Sequence, residues 1–197
     1  MSKGEQTKQY IIEQSALLLN KQGFMSTSLS EIMAVTGLKK GTLYNHFKDK
    51  EELVSLAFEY CLTIFEQYIQ NAISVHTSSK DRVLAFIDAY CSFDDSTLPG
   101  GCPIINVAVE VYDGLSELLQ NQARYGMSYI TNVLVDILEK GVQEGEFKRD
   151  IDTNQVASIM ISSCEGGLLM NKLRQEQSHS RFIYEHLSAF VEREICV

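Results

Sequence analysis

The chain has 197 residues, 45% of them hydrophobic, 9% aromatic and 22% charged, with a mean hydropathy of -0.08. These ordinary values exclude collagen-like and wholly disordered chains, and no apolar run approaches the roughly 20 residues that a bilayer-crossing helix needs. Net charge is -9, yet residues 1–50 hold seven lysines against four acids, so a basic head precedes a strongly acidic body and points to one end that faces a polyanion.

The polar start, Met1 to Tyr10, does not read as a signal peptide, so a cytoplasmic protein with no membrane partner is expected. The two prolines, Pro99 and Pro103, leave the backbone before Leu98 and after Ile104 free of the strongest helix breaker. No alternating Val/Ile/Thr runs occur, so an all-α fold of about nine helices is expected.

Ile12, Ala16 and Leu19 line one face of a first helix, widened by Ile11, Ser15 and Leu18, and Gly23 ends it. Ser28 and Glu31 read as a capping box that opens a short second helix to Thr36, and Gly37 supplies a tight turn. A third short helix follows over Lys39 to His46. Asp49, with Glu52 three residues on, caps a fourth that runs to Val75. It carries one apolar stripe of Val54, Phe58, Cys61, Phe65, Tyr68 and Ala72 and a second of Leu53, Ala57 and Ile64. A helix apolar on two sides needs two sets of neighbours and so bridges head and body.

After a polar break over His76 to Lys80, further helices are predicted up to Phe93, from Pro103 up to an interruption at Gly114, from Leu115 to Gln143, from Thr153 to Leu173 and from Ser178 to Ile195. Asp94 to Gly101 forms the longest loop, and Gly145 to Asp152 a charged connector. Along the helix from Leu115, the residues Leu118, Gln122, Gly126, Ile130, Val133, Ile137 and Gly141 share one side.

Two short helices joined by a glycine turn on a preceding helix are the helix-turn-helix arrangement. At about 100° per residue, Phe47 and Lys39 lie near Leu43 on the anchored side of the third helix. Gly41 and Asn45 form the opposite crest, about 160° away. A crest without a side chain lets backbone approach closely, and an amide can pair with adenine. Thr42 and Tyr44 on the flanks carry hydroxyls suited to phosphates, with His46, Lys48 and Lys50 as further partners. Thr27 and Ser28 sit at a helix N-terminus, itself an anion site.

Ser26 to Ile32, then Thr36-Gly-Leu-Lys-Lys-Gly-Thr-Leu-Tyr-Asn-His-Phe47, then Lys50-Glu-Glu-Leu53 resemble the DNA-binding domain of TetR-type transcriptional regulators. The resemblance covers roughly residues 5–60 and rests on a specific motif. It implies a homodimeric regulator, usually a repressor, that releases a double-stranded DNA operator when a small-molecule effector enters the body. By motif position Thr27, Thr42, Tyr44, His46 and Lys50 would hold phosphates, while Lys40, Gly41 and Asn45 approach bases. Lys39 departs from the family's usual Ser, Thr or Pro cap: a lysine cannot accept from a free N–H, and a phosphate contact is its candidate role.

The expected organisation is therefore a helix-turn-helix domain over 1–50, bridged by helix 50–75, and a ligand-binding and dimerisation domain over 51–197. Candidate effector-pocket residues are Phe65, Tyr68, Phe86, Tyr90, Tyr125, Met127 and Tyr129, with the polar residues Asn106, Glu110, Gln122 and Glu165 on largely apolar helices. For a dimer surface, Ser158, Ser162, Ser163, Gly166 and Gly167 make one helix smooth, and Ile183, Leu187, Phe190 and Val191 stripe the other.

The five cysteines are widely spaced, with neither a C-x-x-C pair nor a nearby histidine, so free thiols and no metal are expected. Cys102 lies in a Gly-Gly-Cys-Pro stretch, similar to one found in a subgroup of these regulators, ahead of a helix whose dipole lowers a thiol's pKa. A thiol sensor of oxidants or electrophiles is thus the alternative to a packed thiol. The common metalloprotease, nucleotide-binding and serine-hydrolase motifs are absent, so neither catalysis nor a cofactor is expected. A helical interaction protein that binds no DNA is the remaining alternative.

Overall fold

A computed structural model describes residues 2–93, 96–112, 114 and 116–197. Among the described residues nine α-helices follow one another: α1 (Lys3–Gln22), α2 (Leu29–Thr36), α3 (Lys40–Tyr44), α4 (Lys50–Ser74), α5 (Ser79–Ser92), α6 (Pro103–Glu110), α7 (Glu117–Glu144), α8 (Thr153–Arg174) and α9 (Ser178–Phe190). A π-helical turn, Val191–Ile195, ends the last helix early. The only β-type pairing among these residues is an isolated bridge between Phe147 and Cys196. The expected loop start at Asp94 and helix start at Leu115 lie outside the described residues.

Helix boundaries follow local chemistry. Ser2 and Glu5 close a capping box on α1, and Ser28 and Glu31 do the same on α2. Asp49 Oδ1 accepts from the Glu52 N–H (2.9 Å), and Glu52 reaches back to the Lys48 N–H. Ser78 and Asp152 cap α5 and α8. Gly37, at φ 68, takes the left-handed turn between α2 and α3.

The chain forms two compact units. One comprises Met1–Phe65 with Asp94–Gly126, the other Glu66–Phe93 with Met127–Val197. The expected division at residue 50 follows role, whereas compactness groups α6 and the start of α7 with the three N-terminal helices.

In the first unit Ile11, Ala16, Leu19, Phe24, Ile32, Leu43, Phe47, Leu53 and Phe58 are buried, and the Phe24 and Phe58 rings meet edge to face at 5.3 Å. Gly100, at φ 97, lies so close to the Asn20 carbonyl that a Cβ there would collide with it. Asn20 Nδ2 in turn donates to the carbonyls of Pro99 (2.8 Å) and Gly101 (2.9 Å). The Gly-Gly-Cys-Pro stretch is thereby clasped to the end of α1.

In the second unit Phe86, Ile87, Tyr90, Ile130, Leu134, Leu138, Phe147, Met160, Cys164 and Val191 are buried. The carboxylate of Glu146 accepts from the first-turn N–H groups of Ser79 (2.9 Å) and Lys80 (3.0 Å), which have no partner within their own helix.

The expected single face of α7 holds for Gly126, Ile130, Ile137 and Gly141 but not for Leu118, which is exposed. Leu119 and Ala123 are buried instead, so at its N-terminal end the helix buries a face rotated by one residue.

Candidate nucleic-acid interface

The head builds its outer face from a five-residue helix pinned at one point per turn. Leu43 is 2% exposed and Phe47 3%, while Gly41 and Asn45 are exposed and Tyr44 is 45% exposed. The Phe47 and His46 N–H groups both donate to the Leu43 carbonyl at 3.0 Å, which carries the turn past the end of α3 and keeps Phe47 under it. Nothing lies within 4 Å of a Cβ built on Gly41. The crest expected from the sequence is therefore an open, outward surface.

Around that crest Thr42 and His46 are half-buried and Lys40 and Lys48 exposed. Lys40 Nζ sits 5.8 Å from the Tyr44 ring centroid, so its charge lies beside the phenol. Lys50 Nζ donates to the Met25 carbonyl (3.3 Å), which holds this half-buried cation beside the turn before α2. Beneath, Lys8 lies over the Phe47 ring (5.2 Å) and pairs with Glu52 (3.5 Å).

Three expectations change. Lys39 is not on the anchored side: it is exposed, with an extended backbone (φ -83, ψ 154), because α3 begins only at Lys40 and a helical wheel has no meaning before that residue. It makes no side-chain capping bond. Thr27 is 2% exposed, and its hydroxyl donates to the Gly23 carbonyl (2.6 Å), so no surface remains for a phosphate. Ser28 is exposed, but its N–H and hydroxyl both donate to Glu31 Oε2 (2.7 Å), so an internal carboxylate fills the N-terminus of α2. The physical cause of the last is a capping box whose acid is already an anion, and these Ser28 bonds hold its carboxyl below the ordinary glutamate value.

The pocket candidates divide between the two units. In the first, Asn106 Nδ2 donates to the Gly100 carbonyl (2.9 Å) and the Asn20 carbonyl (3.2 Å). Glu110 accepts from the backbone N–H groups of Phe24 (2.9 Å) and Met25 (2.7 Å). Gln122 Nε2 donates to Ser55 Oγ (2.9 Å) and Glu59 Oε1 (2.8 Å). Tyr125 is 68% exposed and Phe65 fully buried. The three polar side chains thus bind the unit's own backbone and helices, links between residues far apart in sequence that helical periodicity does not reveal.

In the second unit the buried Tyr90 hydroxyl donates to Glu165 Oε1 (2.7 Å), and the Phe86 and Tyr90 rings lie 5.8 Å apart. Gln70 Nε2 donates to the Tyr129 hydroxyl (3.3 Å), and Tyr68 meets Phe93 edge to face (5.3 Å). Met127 is half-buried.

Of the dimer candidates, Ser158, Ser162 and Gly166 are exposed on α8, and Ile183 and Phe190 half-buried on α9. Leu187, Val191 and Gly167 are buried and have no surface to offer a partner. Exposed Ile159, Leu169, Leu173 and Phe182 enlarge the apolar share of these two helices.

Cys102 is 3% exposed at the start of α6, with Pro103 in the first turn, so its thiol is packed away from solvent. Among the described residues no group of three or more His, Cys, Asp or Glu side chains is arranged to hold a metal. No helix among them is long and apolar enough to cross a membrane.

Residues 11–57 match the family described as "Bacterial regulatory proteins, tetR family", and residues 79–187 match "Tetracyclin repressor-like, C-terminal domain". A TetR transcriptional regulator of Chloroflexus aurantiacus J-10-FL has a similar crystal structure, with a TM-score of 0.95, 29% identity and full coverage of both chains. The HTH-type transcriptional regulator YxaF of Bacillus subtilis (strain 168) is 24% identical over 98% of each chain. The HTH-type transcriptional repressor DhaR of Mycobacterium sp. (strain GP1) is 22% identical over 86% of this chain and 84% of its own.

Proposed function

This chain belongs to the TetR family of DNA-binding transcriptional regulators, and from that premise we propose that it works as a homodimeric repressor which leaves a palindromic operator when a small molecule binds. The observation that carries the reading is the outward crest of α3, Gly41 and Asn45, opposite the buried Leu43. Gly41 admits the backbone to the groove, Asn45 offers a two-point amide to adenine with Lys40 beside it at the bases, and Tyr44, Thr42, Lys39 and Lys48 surround them for phosphates. A dimer places two such heads on half-sites about 34–36 Å, or a multiple of that, apart. The exposed Ser158, Ser162, Ile159 and Gly166 surface of α8, with Ile183, Phe182 and Phe190 of α9, is the proposed dimer face.

The second unit is the proposed seat of the effector, where the Tyr90–Glu165 pair and the rings of Tyr68, Phe86 and Tyr129 combine apolar surface with a few polar groups. Effector binding favours a state whose head spacing mismatches the operator. Bacterial regulators of this family meet their DNA in the cytoplasm, which is the location proposed for this chain. The relatives' names, regulators and a repressor, support this reading.

Selection from a random duplex library, followed by fluorescence anisotropy, tests it. The expected result is a palindromic site, affinity that falls steeply with salt, a dimer by light scattering, and a loss of roughly tenfold or more for Tyr44→Ala with the dimer unchanged. A monomeric protein that retains no particular sequence, or unaltered affinity in Tyr44→Ala, contradicts it.

A further inference from the structure

Cys91 and Cys164 stand 73 residues apart in the chain, yet their sulfurs are 3.7 Å apart in the second unit, in van der Waals contact. Cys91 occupies the last turn of α5 and Cys164 the middle of α8. The residue on one side of each is also paired: Tyr90 with Glu165, by a 2.7 Å hydrogen bond. Two successive cross-helix contacts, 90 with 165 and 91 with 164, run in antiparallel order and fix the register that brings the thiols face to face. A disulfide needs sulfurs about 2.05 Å apart, so oxidation has to draw these two together by less than about 2 Å.

We propose that Cys91 and Cys164 form a dithiol site that a small hydroperoxide such as hydrogen peroxide converts into a disulfide.

The two thiols divide the work. Cys91 is 7% exposed and Cys164 0%, so the oxidant reaches Cys91 first. The hydrogen bond between the two thiols holds Cys91 below its ordinary value, and the same bond together with burial pushes Cys164 up. The Cys91 thiolate attacks one peroxide oxygen; the O–O bond breaks, and hydroxide leaves and takes up a proton as water. Cys91 then carries a sulfenic acid. The Cys164 sulfur attacks that sulfur, the S–S bond forms, the S–O bond breaks, and the Cys164 proton leaves with the hydroxyl as a second water. The two sulfurs together lose two electrons and the peroxide gains them.

Cys61 and Cys196 are shifted the other way from Cys91. Burial pushes Cys61 up to about 12, and its thiol donates to the Ala16 carbonyl. Cys196 is pushed up as well, chiefly by burial. In a reducing compartment a pair of adjoining thiols of this kind is a transient, reversible cross-link rather than a fixed one.

The test takes the reduced full-length protein, exposes it to a small molar excess of hydrogen peroxide under native conditions, and blocks the remaining thiols with N-ethylmaleimide after unfolding. Chymotryptic peptides are then mapped by mass spectrometry, since cleavage after Phe93 separates Cys91 from Cys102. The expected result is the loss of two of the five free thiols, recovery of a Cys91–Cys164 cross-linked peptide, and full reversal by dithiothreitol. Cys164→Ser should instead accumulate a sulfenic acid at Cys91 that dimedone labels. Five alkylated cysteines after peroxide, or a cross-link that joins other partners, overturns the proposal, and the wild-type result alone decides it if the Cys164→Ser protein fails to fold.

Discussion

The Glu110 carboxylate, at the end of α6, accepts the backbone N–H of Met25 at 2.7 Å across 85 residues of sequence, and the N–H of Phe24 at 2.9 Å. Both donors lie in the turn between α1 and α2, outside any helix that satisfies them. One charged side chain therefore sets the angle at which α2 leaves α1. Leaving two half-buried donors unpaired costs about 1–3 kcal/mol each. Glu110→Ala is expected to lower unfolding stability by roughly 2–4 kcal/mol in urea, and Glu110→Gln, which keeps one acceptor oxygen, by less. Equal stability of all three proteins would show the clamp to be idle.

Ser28→Ala removes the hydroxyl that caps α2 and holds Glu31 ionised. The expected loss at pH 7 is about 3 °C in Tm. Because the Glu31 carboxyl titrates below its ordinary value of 4.5, its contribution is complete above that value and disappears as pH falls through the lowered one. The gap between wild type and Ser28→Ala, followed by calorimetry, should therefore narrow on acidification and stay constant from pH 6 to 8.

Cys61 gives the opposite sign. Burial lifts its thiol from an ordinary 9.0 to about 12, so the folded state keeps a proton that the unfolded state releases. Stability from this group is complete below about pH 9 and declines towards pH 12. Iodoacetamide at pH 8 should leave Cys61 unlabelled in the native protein and label it within minutes in guanidinium. Rapid native labelling would show that α4 opens locally around this residue.

How far the sequence reached depends on the range of the interaction. Leu43, Phe47, Gly41 and Asn45 take the sides that helical periodicity predicts, because about two turns of local backbone determine all four. Lys39 does not, because it lies one residue before the helix. Thr27 and Ser28 are adjacent and chemically alike; only the backbone path shows that the first turns back onto Gly23 and the second caps α2. Asn106, Glu110 and Gln122 stood out as polar residues on apolar helices, but their partners, Asn20, Phe24 and Ser55, are more than half a hundred residues away. The thiol pair lay beyond spacing arguments for the same reason, since helix packing rather than sequence proximity creates it.

The proposed DNA binding requires α3 to turn its Gly41–Asn45 crest towards the duplex, and Gly41→Leu tests that most directly. The site is exposed, with nothing within 4 Å of an added Cβ, and leucine favours helix over glycine by up to about 1 kcal/mol. Anisotropy titration on the selected operator, with Tm measured in parallel, should give an unchanged or higher Tm and an affinity at least about tenfold weaker, since a mispositioned contact at the base edges costs roughly 1–3 kcal/mol. A Gly41→Leu protein that keeps both its fold and full operator affinity would contradict the assignment of this face to DNA.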